Sequence, residues 1–123
     1  MILINLDYQS RTPIYEQIVT NIERYVAVGV LKPNEQMPSI RELASNLGIN
    51  PNTVKKAYDI LENKKVIVSM STKGTYISDK TDEVLENKKK DEIEKLNKQI
   101  KLLLSLGISK KELVDVIKNI EEY

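Results

Sequence analysis

The fold of this chain is decided by residues 38–61, which read PSIRELASNLGINPNTVKKAYDIL. Apolar side chains recur here every three or four residues, the spacing that places them on one face of a helix. The first such set is Ile40, Leu43, Ala44 and Leu47, and the second is Val54, Ala57, Tyr58 and Leu61. Only residues 48–50 lie between the two predicted helices. The sequence therefore predicts two short helices that a tight turn folds against each other.

The ends of both helices carry their own signals. Ser39 with Glu42 has the spacing of a capping box, in which each side chain satisfies a free backbone N–H at a helix start. Gly48 can adopt the left-handed conformation that ends a helix. Asn50 is a good N-cap, and Pro51 follows at the first helical position, where a missing N–H costs nothing. The sequence thus predicts where the first helix ends and the second begins.

Polar side chains remain on the outer side of the second helix. Asn52 and Thr53 lie in its first turn, the end that a helix-turn-helix protein presents to base edges. Asparagine can bind adenine through two hydrogen bonds, and threonine offers a hydroxyl and a methyl group. Lys55 and Lys56 can bind phosphate or guanine. Double-stranded DNA is the partner that this pattern favours, although Asn52 and Thr53 alone would equally fit a solvated helix end.

A β-hairpin follows the two helices. Residues 66–70 and 75–78 are rich in β-forming side chains, and the turn between them contains Gly74. Such a hairpin is the wing of a winged helix. Lys73 at the turn and Thr75 beside it could reach a phosphate or the minor groove, or Lys73 could be only a solubilising charge.

A further helix is predicted upstream, from near Thr12 and Pro13 to near Gly29. Its apolar stripe is Ile14, Ile18, Ile22, Tyr25 and Val26. Residues 31–38 contain two prolines and are expected to form a connector. The sequence therefore predicts a mainly α fold with a small β wing: a winged helix-turn-helix domain over residues 1–78 and a helical region over residues 79–123.

These residues together resemble the GntR superfamily of bacterial transcription regulators. The matching segments are residues 13–18, 31–33, 37–44, 47–48, 52–54, 57–58, 61–62 and 74–76. Residues 50–54 and the short tail look like the YtrA subfamily, whose members lack the large effector-binding domain of their relatives. The resemblance covers nearly the whole chain, and it implies a DNA-binding regulator, most often a repressor that reads a pseudo-palindromic operator.

The resemblance also assigns roles to individual residues. It implies that Arg41 binds the DNA backbone or a base, that the start of the second helix contacts DNA, and that the wing approaches the minor groove. Pro51 stands where larger relatives often place a base-reading arginine. Lys65 replaces a glycine that usually ends the second helix, so either Lys65 is left-handed or the helix ends differently. Thr72 replaces a wing glycine. The predicted DNA-binding residues are Ser39, Arg41, Asn50, Asn52, Thr53, Lys55, Lys56, Lys73 and Thr75.

The tail is predicted to form two helices. After a connector over residues 79–82, a helix runs from about residue 83 to 106; Gly107 ends it, and Ser109 starts the next. The apolar positions, which are the predicted dimerisation residues, are Ile93, Leu96, Ile100, Leu103, Leu113, Ile117 and Ile120. Two such helices bury too little surface to stand alone. We therefore expect a homodimer, with packing on the same chain as the alternative.

Composition narrows the class of protein. The chain contains neither cysteine nor histidine, which excludes a cysteine nucleophile, a Ser-His-Asp triad, a typical zinc site and disulfides. We therefore expect no enzyme, no metal and no cofactor. No apolar run is long enough to span a membrane. The family resemblance implies a cytoplasmic location. The net charge is only +1, so local cations must carry DNA affinity. An effector remains unknown. The alternative function is a winged helix that binds a protein rather than DNA.

Overall fold

The computed structural model describes residues 4–70 and 72–121, which form five α-helices and one two-stranded antiparallel sheet. In chain order these are α1 (Ile14–Ala27), α2 (Ile40–Leu47), α3 (Pro51–Asn63), β1 (Ile67–Met70), β2 (Gly74–Ile77), α4 (Thr81–Ser105) and α5 (Lys110–Lys118). The predicted fold class, mainly helical with a small β wing, is confirmed.

The starts of α2 and α3 are set by the capping residues that the sequence predicts. The Ser39 side chain accepts a hydrogen bond from the backbone N–H of Glu42 (3.1 Å), and the Asn50 side chain accepts one from Asn52 (2.8 Å). Among the described residues, the Glu42 side chain returns no hydrogen bond to Ser39, so the capping box is half formed. Gly48 ends α2 with φ of 66°, a conformation that glycine adopts without a side-chain clash.

The end of α3 places a lysine where glycine is favoured. Lys65 has φ of 63°, which confirms the left-handed conformation considered from the sequence. Its N–H donates to the Glu62 carbonyl, and the Val66 N–H donates to the Leu61 carbonyl, each at 2.9 Å. These two hydrogen bonds form a Schellman motif. Val66 and Leu61 are both buried, so an apolar contact accompanies the turn.

One hydrophobic core joins α1, α2 and α3 to the hairpin. The whole predicted stripe of α3 is buried, and α1 buries Val19 in addition to three residues of its predicted stripe. The most enclosed apolar side chains are Ile18, Ile22, Leu43, Val54, Leu61, Val66, Ile67 and Ile77. Truncating one of the larger of these to alanine typically costs about 2–5 kcal/mol. This core holds α3 rigidly against α1, with its polar side outward.

The hairpin is joined to the connector by backbone hydrogen bonds. β1 and β2 pair as the sequence predicts, with Ile67 opposite Ile77. Residues 31–38 contain no helix, as predicted, but they pair with β2, which the sequence did not indicate. The Met37 N–H donates to the Thr75 carbonyl, and the Ile77 N–H donates to the Glu35 carbonyl, each at 2.8 Å. β2 therefore lies between β1 and the connector, and the connector leads directly into the start of α2.

The chain divides into two compact units, Met1–Glu86 and Asn87–Tyr123. The first unit takes in the start of α4, where Thr81 and Leu85 are buried. In the second unit, Gly107 follows α4 with φ of 92°, and Ser109 caps α5 as predicted. α4 begins slightly earlier than the sequence indicated. The predicted domain boundary between residues 78 and 79 stays a prediction.

Candidate nucleic-acid interface

The outer side of α3 carries polar side chains that take no part in the core. Helical geometry places Asn52, Lys56 and Asp59 opposite the buried stripe, with Lys55 at the edge of the same side. All four side chains are exposed, and Thr53 in the first turn is half-buried. The structure thus brings four predicted contact residues to one continuous surface together with Asp59, which was not predicted as a contact; the four are Asn52, Thr53, Lys55 and Lys56.

Two predicted contact residues also cap helices, and both remain able to bind DNA. Ser39 and Asn50 use a side-chain oxygen to accept from their own helix. The serine hydroxyl proton and the asparagine amide N–H groups stay available as donors, and both residues are exposed. The start of a helix also carries a partial positive charge. Each cap is therefore suited to a phosphate oxygen.

The two lysines of α3 are held in different directions. Lys55 Nζ lies 2.8 Å from Asp59 Oδ2, one turn further along α3. The hydrogen bond and the charge of Asp59 raise the pKa of Lys55. Lys56 Nζ instead lies 3.9 Å from the centroid of the Tyr15 ring in α1.

Contacts from other elements fix α3 in place. The Tyr58 hydroxyl donates to the Pro38 carbonyl at 2.7 Å, which joins the middle of α3 to the residue before the α2 cap. Burial, together with the nearby Glu42 carboxylate, raises the pKa of Tyr58. At the other end of α3, Lys64 Nζ lies 3.3 Å from Glu23 Oε1 in α1.

Arg41 lies in the first turn of α2 and is exposed. Within residues 4–70 and 72–121, its guanidinium makes no hydrogen bond or ion pair. An exposed guanidinium without an internal partner can bind a phosphate or a guanine without first breaking a contact. The structure places no obstacle to the role that the family resemblance implies for Arg41.

The predicted contact residues of the wing, Lys73 and Thr75, lie on the hairpin and not on α2 or α3. Lys73 is exposed at the hairpin turn, and the Tyr76 hydroxyl donates to its carbonyl at 2.9 Å. Thr75 is half-buried and bonded through its backbone to the connector. In the described part of the chain, no hydrogen bond or ion pair joins Lys73 or Thr75 to α2 or α3. Contact of the wing with DNA stays a prediction.

The tail exposes most of its predicted dimerisation residues. Ile93, Leu96, Ile117 and Ile120 are exposed, while Ile100, Leu103 and Leu113 are half-buried. Ile120 lies beyond the end of α5 at Lys118 and not within the helix that the sequence suggested. Further exposed apolar side chains in the second unit are Leu102, Leu106, Val114 and Val116. An apolar surface of this kind typically marks an interaction site.

The described part of the winged helix also contains an open groove that lies apart from the predicted DNA-binding residues. This groove of about 750 Å³ borders Tyr25, Glu35 and Glu42. Over the described ranges, no three acidic side chains converge as metal ligands would. None of the helices in those ranges combines the length and apolar character needed to cross a bilayer.

Two residues of this surface were not predicted from the sequence as site residues. Asp59 could have been recognised as a partner, because a lysine and an acid four residues apart face each other on a helix. Tyr15 could not, because only the packing of α1 against α3 brings its ring to Lys56.

Comparison with known proteins gives consistent matches. Residues 14–77 match the family model described as bacterial regulatory proteins, gntR family. The chain is 41% identical over 98 residues to the HTH-type transcriptional repressor YtrA of Bacillus subtilis, covering 80% of this chain and 75% of that protein. It is 34% identical over 115 residues to YhcF of the same organism, an uncharacterized HTH-type transcriptional regulator. That match covers 94% of this chain and 95% of YhcF. The structure is similar to the crystal structure of a transcriptional regulator from Oenococcus oeni, with a TM-score of 0.75 and 35% sequence identity. The match covers 93% of this chain and 95% of that chain.

Proposed function

The chain belongs to the gntR family of bacterial regulatory proteins and is a DNA-binding transcription regulator, and we propose that it acts as a homodimeric repressor on a pseudo-palindromic operator. Repression is favoured because the relative YtrA of Bacillus subtilis is named a transcriptional repressor. The match extends well beyond the winged helix, to most of both chains.

The observation that carries this proposal is the polar outer side of α3 beside the start of α2. Asn52 and Thr53 would enter the major groove, where their short side chains can reach base edges. Arg41 and the caps Ser39 and Asn50 would bind phosphates and fix the register of the protein on the duplex. Lys55 and Lys56 would add charge, and Lys73 with Thr75 in the wing would approach the adjacent groove.

Dimerisation through the tail is supported by the exposed apolar side chains of the second unit. Water-exposed positions such as Leu96 and Ile117 would be covered by a second copy of the chain. A two-fold dimer would present two α3 helices to half-sites about one helical turn, ~34 Å, apart. Doubling the contacts also compensates for a net charge of only +1.

The proposed role determines where the protein acts and what it needs. A repressor must reach the bacterial chromosome, so we place it in the cytoplasm. Recognition of DNA by hydrogen bonds and charge requires no catalytic group, metal or cofactor. Any effector would have to change either the spacing of the two α3 helices or access to them.

The test is binding to the promoter regions next to the gene, measured by fluorescence anisotropy at several salt concentrations. We expect one fragment to bind far more tightly than random duplex. Arg41→Ala should weaken that binding by about 1–3 kcal/mol, because it removes a charged hydrogen bond. Lys118→Ala, which removes an exposed cation from α5, should have little effect. Equal affinity of the wild type for every duplex would refute a sequence-specific repressor.

A further inference from the structure

We propose that Tyr15 is a positioning residue for DNA binding. Its ring holds the Lys56 ammonium on the outer side of α3, so that Lys56 and not Lys55 is the lysine of α3 that binds a phosphate. The inference rests on the proposed DNA contact of α3 and adds a residue of α1 to it.

The geometry of Tyr15 suits this role. Tyr15 lies in the first turn of α1, half-buried and packed against the core, so its ring has a fixed position. Its hydroxyl donates to Glu16 Oε1 at 3.2 Å. The Lys56 ammonium lies over the ring face, 3.9 Å from its centroid. At that distance the negative face of the ring attracts the cation.

A lysine held by an aromatic ring and a lysine paired with a carboxylate differ in the net charge that they offer to DNA. The ring of Tyr15 restrains Lys56 without cancelling its charge, and the ammonium keeps N–H donors for a phosphate. Lys55 instead lies 2.8 Å from the Asp59 carboxylate, so the two side chains together carry no net charge. To reach DNA, Lys55 must leave Asp59 or bring a negative charge towards the phosphates. The two adjacent lysines are therefore not equivalent.

Restraint of Lys56 before binding also lowers the cost of the contact. A free lysine side chain loses much of its rotamer freedom when it binds a phosphate, whereas a side chain already held in place loses less. Cation–π pairs at exposed sites correspond to about a two- to five-fold effect on an equilibrium constant. An effect of that size on DNA affinity is measurable.

The test is a double-mutant cycle on the full chain, with dissociation constants for the operator fragment measured over a salt series. Tyr15→Leu should weaken binding about two- to five-fold. Lys56→Gln should weaken it further and reduce the slope of log affinity against log salt by about 0.9 per subunit. The double variant should bind no more weakly than Lys56→Gln alone. Tyr15→Phe keeps the ring and should therefore bind the operator with wild-type affinity.

Tyr25→Leu is the matched control, because Tyr25 is also in α1 and its ring also lies near a cation, 5.6 Å from Arg24. It should lower thermal stability without lowering DNA affinity more than about two-fold. The proposal fails if Tyr15→Leu weakens binding by the same factor in the Lys56→Gln background, because its role is then structural.

The proposal also fails if Lys55→Gln lowers the salt slope as much as Lys56→Gln does. That comparison needs no change at Tyr15, so it remains decisive if Tyr15→Leu does not fold. In either case the wild-type protein would still prefer its operator, whereas failure of the proposed function would remove that preference.

Discussion

Lys65 holds a backbone conformation that its side chain disfavours. A left-handed residue other than glycine brings its Cβ close to the following carbonyl, which costs about 1–2 kcal/mol. The two hydrogen bonds of the Schellman motif and the burial of Leu61 and Val66 hold Lys65 there. The strain is therefore imposed by the packing of α3 against the hairpin.

Lys65→Gly should stabilise the protein, because it removes the Cβ contact while leaving the turn unchanged. We expect the free energy of unfolding to rise by about 0.5–1 kcal/mol, since the greater freedom of glycine in the unfolded chain offsets part of the gain. Urea unfolding measures this. Lys65→Ala keeps the Cβ and should show no such gain; equal stability of the two variants would argue against strain at residue 65.

Asp59 sets how much charge α3 presents to DNA. Asp59→Asn keeps the size of the side chain but frees Lys55 and removes a negative charge from the interface. Binding to an unrelated duplex should tighten, with a salt slope steeper by up to about 0.9 per subunit. Fluorescence anisotropy over a salt series measures both. Asp115→Asn removes a carboxylate from α5 in the second unit and should change neither quantity; an equal response from the two variants would contradict this role for Asp59.

At the scale of elements, the start of α3 combines a structural function with a proposed binding function in one residue. The Asn50 oxygen caps the helix, whereas its amide nitrogen is available to DNA. Most substitutions would disturb both functions together. Aspartate does not, because it is an equally good N-cap but lacks the amide donor and carries a negative charge.

Asn50→Asp should therefore separate folding from binding. We expect the free energy of unfolding to stay within about 0.5 kcal/mol of wild type, whereas DNA binding should weaken by at least about 1.5–3 kcal/mol. Asn50→Ala, which loses the cap, should lower stability by about 1 kcal/mol. Urea unfolding and anisotropy give the two quantities. Unchanged DNA affinity in Asn50→Asp would place residue 50 outside the interface.

The sequence predicted those elements whose determinants are local. The stripes and caps of α2 and α3 lie within a few residues of each other, and the structure has both helices where the pattern indicated. The hairpin was found for the same reason. Ser109 and Gly107 likewise located the break between α4 and α5.

Apart from the Lys55–Asp59 ion pair within α3, the contacts described above that the sequence did not predict join distant parts of the chain. The pairing of Glu35 and Met37 with β2 depends on how the wing packs, and periodicity does not indicate which segment lies next to a strand. The contact of Tyr15 with Lys56 likewise depends on the crossing of α1 and α3. Arg41 could be assigned to the interface only through family resemblance, because an exposed arginine by itself has no distinctive pattern.

At the scale of the whole molecule, the distribution of charge is a further argument for the proposed dimer. Residues 1–78 carry nine basic and seven acidic side chains, and residues 79–123 carry ten and eleven. Long-range attraction to DNA is therefore weak. Affinity must come from a few cations at the interface, repeated in a second subunit.

Charges placed on the tail should separate the subunits without unfolding the winged helix. Leu96 and Ile117 are 49% and 65% exposed, so Leu96→Glu with Ile117→Glu opens no cavity in the core. We expect the dimer to become a monomer, because a carboxylate cannot be buried cheaply in an apolar interface. Sedimentation velocity measures the molecular mass of the double variant in solution. Its affinity for the operator should fall as the dimer is lost.

The control for the tail is Lys98→Glu, which adds negative charge to α4 at an exposed polar position. It should leave the protein dimeric. A double variant of Leu96 and Ile117 that sediments as a dimer would show that the subunits meet elsewhere.

The pairing of the connector with β2 has a consequence for how this chain can vary in length. Surface connections usually tolerate insertions. Here Glu35 and Met37 are held in register with β2, and side chains alternate between the two faces of such a segment. One added residue would turn the buried Met37 towards solvent or break the hydrogen bonds. We therefore expect insertions and deletions among related sequences to occur outside residues 34–37, and the number of residues between this segment and α2 to stay constant.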